Sequence, residues 1–133
     1  MDVTIVAIIT LAVGLIAYTF LHGAGIQSNP SYLVQLAQNA GFVGQDANIA
    51  AAIAIAESSG NPKAIGDNGT SYGLWQIHYT VHPEFDPQSL FDPAYNASAA
   101  FQIYSIRGGF QDWSTYNTGT YEKYLNDNGE VIA

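Results

Sequence analysis

Between Ile49 and Ala56 the chain has no charged or polar side chain, and the run ends on a carboxylate, Glu57. Small and branched apolar residues fill every face of that stretch. A helix that is apolar all round is a buried helix. The run therefore predicts a helix driven through the core, with Asp46 as its N-cap. Ser58-Ser59-Gly60-Asn61-Pro62 follows and stops it, because glycine and proline do not continue a helix comfortably. A carboxylate at the end of a buried helix stands where core meets cleft. Partial desolvation there disfavours the charged form and raises the pKa, as a general acid requires. The plainer alternative is a glutamate that marks the helix's first exposed turn.

The 133 residues leave room for one domain. Three Lys and Arg stand against 11 Asp and Glu, a net charge of -8. Phosphate backbones are repelled by such a chain, so no nucleic-acid partner is expected. A neutral ligand is easier to accommodate, and the 13% aromatic content suits a sugar polymer. With no cysteine there is neither a disulfide nor a thiolate metal site. His22, His78 and His82 form no tight ligand cluster, and no metal is expected.

The run 3–21, opening on Val3 and closing on Leu21, is uncharged and apolar apart from threonines, Gly14 and Tyr18. As a helix it spans roughly 28 Å, close to the ~30 Å bilayer core. We read residues 1–22 as a transmembrane or hydrophobic anchor helix. A signal peptide is the alternative, with Gly23-Ala24-Gly25 as a cleavage site, although only Asp2 and the amino terminus precede the run. Burial within an assembly is a third option. No Lys or Arg flanks the run, so its orientation cannot be read.

Residues 23–30 read as a linker, 31–125 as the folded domain, and 126–133 as a polar, poorly fixed tail. Within the domain, 31–40 has a helical pattern stopped by Gly41. From Ala64 to Tyr79, turn residues and aromatics predict an irregular β-hairpin or extended loop. Asp92-Pro93 is an N-cap followed by proline at the first helical position. That helix should run to Arg107, burying Ala94, Ala97, Ala100, Phe101 and Tyr104. One or two short helices should fill 110–125, with a break near Asn117-Thr118-Gly119.

Four stretches taken in series carry a family pattern: Glu57-Ser58-x-x-Asn61-Pro62-x-Ala64; Ser71-Tyr72-Gly73-Leu74-Trp75-Gln76-Ile77; Asn96-x-x-Ala99-Ala100-x-x-x-Tyr104; and Trp113-x-x-Tyr116-Asn117-x-Gly119. In order and spacing they resemble the lytic transglycosylase and goose-type lysozyme group, over roughly 31–125. The resemblance implies a mostly helical α+β chain with the lysozyme-like fold, a small β-hairpin beside the cleft, and the N-terminal hydrophobic helix outside it. It implies a peptidoglycan glycan strand as partner, cut at the β-1,4 bond between N-acetylmuramic acid and N-acetylglucosamine. Glu57 matches the family's catalytic acid. It would protonate the leaving oxygen, then act as base on the muramic 6-hydroxyl, leaving a 1,6-anhydro ring. No cofactor is required.

The resemblance also assigns supporting residues. Asp67 aligns with an aspartate that goose-type lysozymes use to place the hydrolytic water; alternatively it is ordinary Asp-Asn-Gly turn chemistry. Their second aspartate falls on His78. Ser58 belongs to the first motif and is a candidate substrate contact. Ser71 either bonds substrate or serves the hairpin. Gln76 either meets the acetamido or peptide groups or is a polar strand residue. Tyr104 is either core or a contact on the Glu57 side of the site. Tyr116 and Asn117 match the family's sugar-contacting Tyr-Asn pair. Trp75 stands where methionine is commoner, as a stacking face or core filler. Transglycosylase action is the leading expectation, with muramidase hydrolysis behind it. A non-catalytic glycan-binding or structural protein is the rival from another class. Either a bacterial envelope complex or a bacteriophage virion component would suit one catalytic module on one hydrophobic segment.

Overall fold

The structure, a computed structural model, describes residues 28–132. The proposed membrane span at 3–21 lies outside the described residues. Among the described residues, no helix is long and apolar enough to cross a membrane.

Helix α1 is Pro30–Ala40. The Asn29 side chain accepts the Tyr32 N–H at 2.9 Å, and Pro30 occupies the first turn, where a missing N–H costs nothing. The domain thus begins at a capped helix start inside the expected linker. Helix α2 is Gln45–Ser58, and its buried residues are Ala47, Ala50 to Ala54 and Ser58. It is apolar on all sides because α1 packs on one flank while the C-terminal short helices pack on another. Alanines let those neighbours approach closely. Gly44, not Asp46, takes the N-cap position. Asp46 lies in the first turn, and its carboxylate accepts the Tyr104 hydroxyl instead.

After α2 the chain forms an antiparallel sheet in the order β1-β2-β3: β1 (Ile65–Gly66), β2 (Ser71–Tyr72) and β3 (Ile77–His78). Gly66 pairs with Ser71, and Ser71 in turn with His78. The expected hairpin is therefore a three-stranded sheet with very short strands. A 3-10 turn, Asp67–Gly69, joins β1 to β2.

Helix α3 is Pro93–Arg107, capped by Asp92, whose side chain accepts the Tyr95 N–H at 2.9 Å, and ended by Gly108 in the left-handed region. Its buried face differs from the expected one. Ala94 is exposed, while Asn96 is wholly buried beside Ala97, Ala99, Ala100 and Ile103. The reason is polar: the Asn96 side chain is turned inward to bond the backbone of Tyr72, Trp75 and Leu90. Helix α4 (Ser114–Asn117) and a 3-10 helix (Thr120–Tyr124) complete the domain, with Thr118 and Gly119 between them.

Phe42, Tyr104 and Phe110 form an aromatic cluster, with Phe42 and Phe110 stacked at 5.7 Å. Trp75, Leu74, Ile53 and Leu33 fill the centre and are at most 1% exposed. Each buried side chain of that size contributes about 1.5–3 kcal/mol. The tail, expected to be loose, is tied down. Leu125 and Val131 form a bridge, the Gln45 amide donates to the Gly129 carbonyl at 2.7 Å, and the Val131 N–H donates to Asn48 at 3.1 Å. Two polar residues early in α2 hold it.

Candidate active site

Glu57 occupies the last turn of α2 and is partly buried. Its Oε2 accepts the hydroxyl of Thr115 at 2.8 Å. Thr115 is the second residue of α4, whose N-cap position holds Trp113, a residue with no capping side chain. The first N–H groups of a helix lack internal partners, and the Thr115 backbone N–H adds a small downward influence on the Glu57 pKa.

Three influences act on this carboxyl in opposite directions. Burial is the largest and raises its pKa above the ordinary 4.5. The Thr115 hydrogen bonds lower it, and the negative field of Asp67 raises it. The net effect is upward, towards a carboxyl that keeps its proton. Asp67 is exposed at the first position of the β1–β2 turn, and its Oδ2 accepts the Ser71 hydroxyl at 2.5 Å. A solvated carboxyl thus acts through its field on a partly desolvated one.

The backbone around them is strained. Among the described residues, the non-glycine residues with positive φ are Ser59, Asp67, Asn68 and Gln76. The first follows Glu57 by two positions, and the others lie in the turns that connect the strands of the sheet. Each costs of order 1–3 kcal/mol, less for Asp and Asn, and such strain gathers at functional sites.

The remaining expected site residues divide. Ser71 is fully buried, so it stands behind Asp67 as a support and meets no ligand directly. Ser58 is also buried and spends its hydroxyl proton on the Ala54 carbonyl one turn back, at 2.8 Å. Gln76 is half-buried, and its amide N–H groups donate to the Ala64 and Gly73 carbonyls at 3.2 and 3.0 Å. It ties together the backbone just before β1 and just after β2, and its oxygen lies so close to Gly66 that a Cβ there would collide with it. Tyr104 turns to Asp46, and its ring belongs to the Phe42–Phe110 cluster. Tyr116 stacks on Tyr121 at 5.0 Å. Asn117 is exposed and donates to the Gln111 carbonyl at 2.8 Å. Trp75 is buried, with its indole N–H on the Ala50 carbonyl at 2.9 Å, which makes it core.

Two buried brackets hold these parts in register. Asn96 accepts the Trp75 N–H at 2.8 Å and donates to the Tyr72 and Leu90 carbonyls, both at 2.9 Å. Trp113 donates its indole N–H to the Trp75 carbonyl at 2.9 Å. The second, third and fourth sequence motifs therefore meet at the backbone of Trp75. Gly73 fits beneath Asn96 at φ 84, where a Cβ would strike both the Asn96 amide and the Leu90 carbonyl.

Nothing local in the sequence marks Thr115: it occupies an unspecified position of the fourth motif, and threonine is common at helix starts. Among the described residues, no group of three His, Cys, Asp or Glu is placed to hold a metal ion. A concavity of about 520 Å³ lies near Asn48 and Val131, and one of about 190 Å³ near Phe85 and Tyr95; Glu57 lines neither.

No curated protein and no solved structure matches the chain. A family model described as a lysozyme-like domain matches residues 34–115. That span covers well over half of the chain, from the first turns of α1 to Thr115. It contains Glu57, Asp67, Ser71, Gln76 and Tyr104 and stops just before Tyr116. With the family comes peptidoglycan-related glycan cleavage as the class of chemistry. The partly desolvated carboxyl at the end of a buried helix, the small sheet beside it and the matched span lead to one conclusion: the chain belongs to the lysozyme-like domain family.

Proposed function

We propose that the protein is a peptidoglycan lytic transglycosylase that cuts between N-acetylmuramic acid and N-acetylglucosamine, with Glu57 acting first as acid and then as base. The observation that carries this reading is the state of Glu57: partly buried, hydrogen-bonded by Thr115, and with a pKa raised chiefly by desolvation. A glycosidic oxygen leaves only when protonated, so the donor must hold its proton near neutral pH. After donation the same carboxylate can take the proton of an incoming hydroxyl. If that hydroxyl is the muramic 6-hydroxyl, the product is an anhydro ring and no water is consumed.

Asp67 favours a second reading, hydrolysis. Its field reaches Glu57, and Ser71 fixes one of its oxygens. A solvated carboxylate beside the acid can hold and deprotonate a water, which is the second role in an inverting glycosidase. The two readings differ by one water in the product. Mass analysis of muropeptides released by the wild type and by Glu57→Gln tests both the assignment and the outcome. Glu57→Gln that still clears the wall would remove Glu57 as the acid, whereas a wild type that releases no muropeptides would leave a glycan-binding or structural role as the remaining reading.

A location beside the wall is part of the proposal. The apolar run at 3–21 would confine the domain to the layer next to a bilayer, in an envelope complex or as a virion component. Its support is the sequence of that run alone.

A further inference from the structure

Thr115 makes the two oxygens of Glu57 inequivalent. Oε2 accepts the Thr115 hydroxyl at 2.8 Å. An oxygen that accepts hydrogen bonds in a neutral carboxyl is its carbonyl oxygen, so the proton belongs on the other. Thr115 stands at the start of α4, which Trp113 anchors to Trp75 at 2.9 Å and which packs on α2. The donor is therefore held by the core and not by a mobile side chain alone.

We propose that Thr115 is a positioning residue that fixes the reactive proton of Glu57 on Oε1 and aims it at the glycosidic oxygen. This rests on the functional reading above. In the step, the Oε1–H bond breaks and its proton passes to the leaving oxygen. The C1–O bonding pair departs with that oxygen. The incoming hydroxyl forms the new bond to C1; its proton returns to Oε1 when it is the muramic 6-hydroxyl, and passes to Asp67 when it is water. Throughout, Oε2 keeps the Thr115 hydrogen bond, which strengthens as charge builds on the carboxylate. Thr115 thus limits the pKa rise that burial and Asp67 impose, so the carboxyl gives up its proton without being locked in the neutral form. Asp67 is the ionisable group that acts on Glu57; Thr115, facing it from α4, carries no charge.

The test uses Thr115→Val, which keeps the shape and removes the hydroxyl, and Thr115→Ser, which keeps the hydroxyl. Two quantities are read on the full chain: the Glu57 titration by carboxyl carbon NMR, and kcat and KM on purified peptidoglycan. Thr115→Val should move the Glu57 midpoint upward and shift the alkaline limb of kcat/KM the same way. Its kcat should fall by about 10-fold or more with KM nearly unchanged, the pattern of an interaction made in the transition state. Thr115→Ser should restore both. A Thr115→Val titration that overlays the wild type, or a Thr115→Ser variant that behaves like Thr115→Val, overturns the proposal. If the wild type itself has no turnover, the functional reading fails, while the titration still decides whether Thr115 sets the proton's place.

Discussion

The side chain of Asn96, wholly buried on α3, accepts the backbone N–H of Trp75 at 2.8 Å. Its amide nitrogen satisfies two further carbonyls, those of Tyr72 and Leu90. One side chain thus replaces the ladder partners that strands of two residues cannot supply. Through Trp75 the same point reaches α2 and α4, so the sheet whose first turn carries Asp67 and the helices that carry Glu57 and Thr115 share a single fixed reference.

Asn96→Leu, of similar volume, should strip those three backbone groups of their partner. A buried polar group left unpaired costs about 1–3 kcal/mol, so the variant should lose roughly 3 kcal/mol or more. Urea unfolding followed by circular dichroism measures it. A loss below about 1 kcal/mol would mean the groups find other partners.

Gly73→Ala tests the same bracket from the other side. The added methyl meets the Asn96 amide and the Leu90 carbonyl, and φ 84 is a conformation alanine avoids. We expect a lower melting temperature and a loss of at least about 2 kcal/mol, since strain and collision add. An unchanged melting temperature would contradict the close approach.

Replacing the acid should separate stability from activity. A carboxyl whose folded pKa is raised contributes stability that is fully present below its unfolded pKa, and that contribution is lost as pH rises through the folded value. Glu57 has a raised pKa, so ionising it works against the fold at neutral pH. Glu57→Gln retains an oxygen to accept from Thr115 without the charge. It should be at least as stable as the wild type at pH 7 and lose that advantage below the ordinary value of 4.5. Melting curves across that range decide the sign; a variant that is less stable at pH 7 and recovers in acid would reverse the argument.

Asp67→Asn should act on pH dependence and on product. Removing its charge takes away one influence that raises the Glu57 pKa, so the alkaline limb of activity should move to lower pH. If Asp67 places a water, the share of hydrolysed ends should fall while anhydro ends persist. Ser71→Ala leaves that charge in place and removes only the 2.5 Å hydrogen bond that fixes the Asp67 carboxylate, so it should alter the product ratio without moving the alkaline limb to lower pH. A pH profile and product ratio identical to the wild type would assign Asp67 to turn geometry alone.

Much of this architecture was legible in the chain. The apolar run before Glu57 marked the buried helix, and Asp92-Pro93 and Gly108 marked both ends of α3, because local signals there agree with the packing. The pairing of distant side chains was not legible. Asp46 looked like a cap, yet Tyr104, 58 positions away, claims it. Ser71 read as a candidate ligand contact, and only the fold turns it inward beneath Asp67. The tail looked polar and loose, since its partners Gln45 and Asn48 lie more than 80 positions upstream. Thr115 was invisible for the same reason: its value comes from where α4 lands.

The most direct measurement is digestion of purified peptidoglycan by the wild type and by Glu57→Gln, with the released muropeptides weighed by mass spectrometry. The wild type should release fragments with anhydro-muramic ends. Glu57→Gln, folded and able to bind the wall, should release them about 100- to 10,000-fold more slowly, the usual span for loss of a general acid. Glu57→Gln that digests the wall at the wild-type rate would contradict the assignment of position 57 as the proton donor.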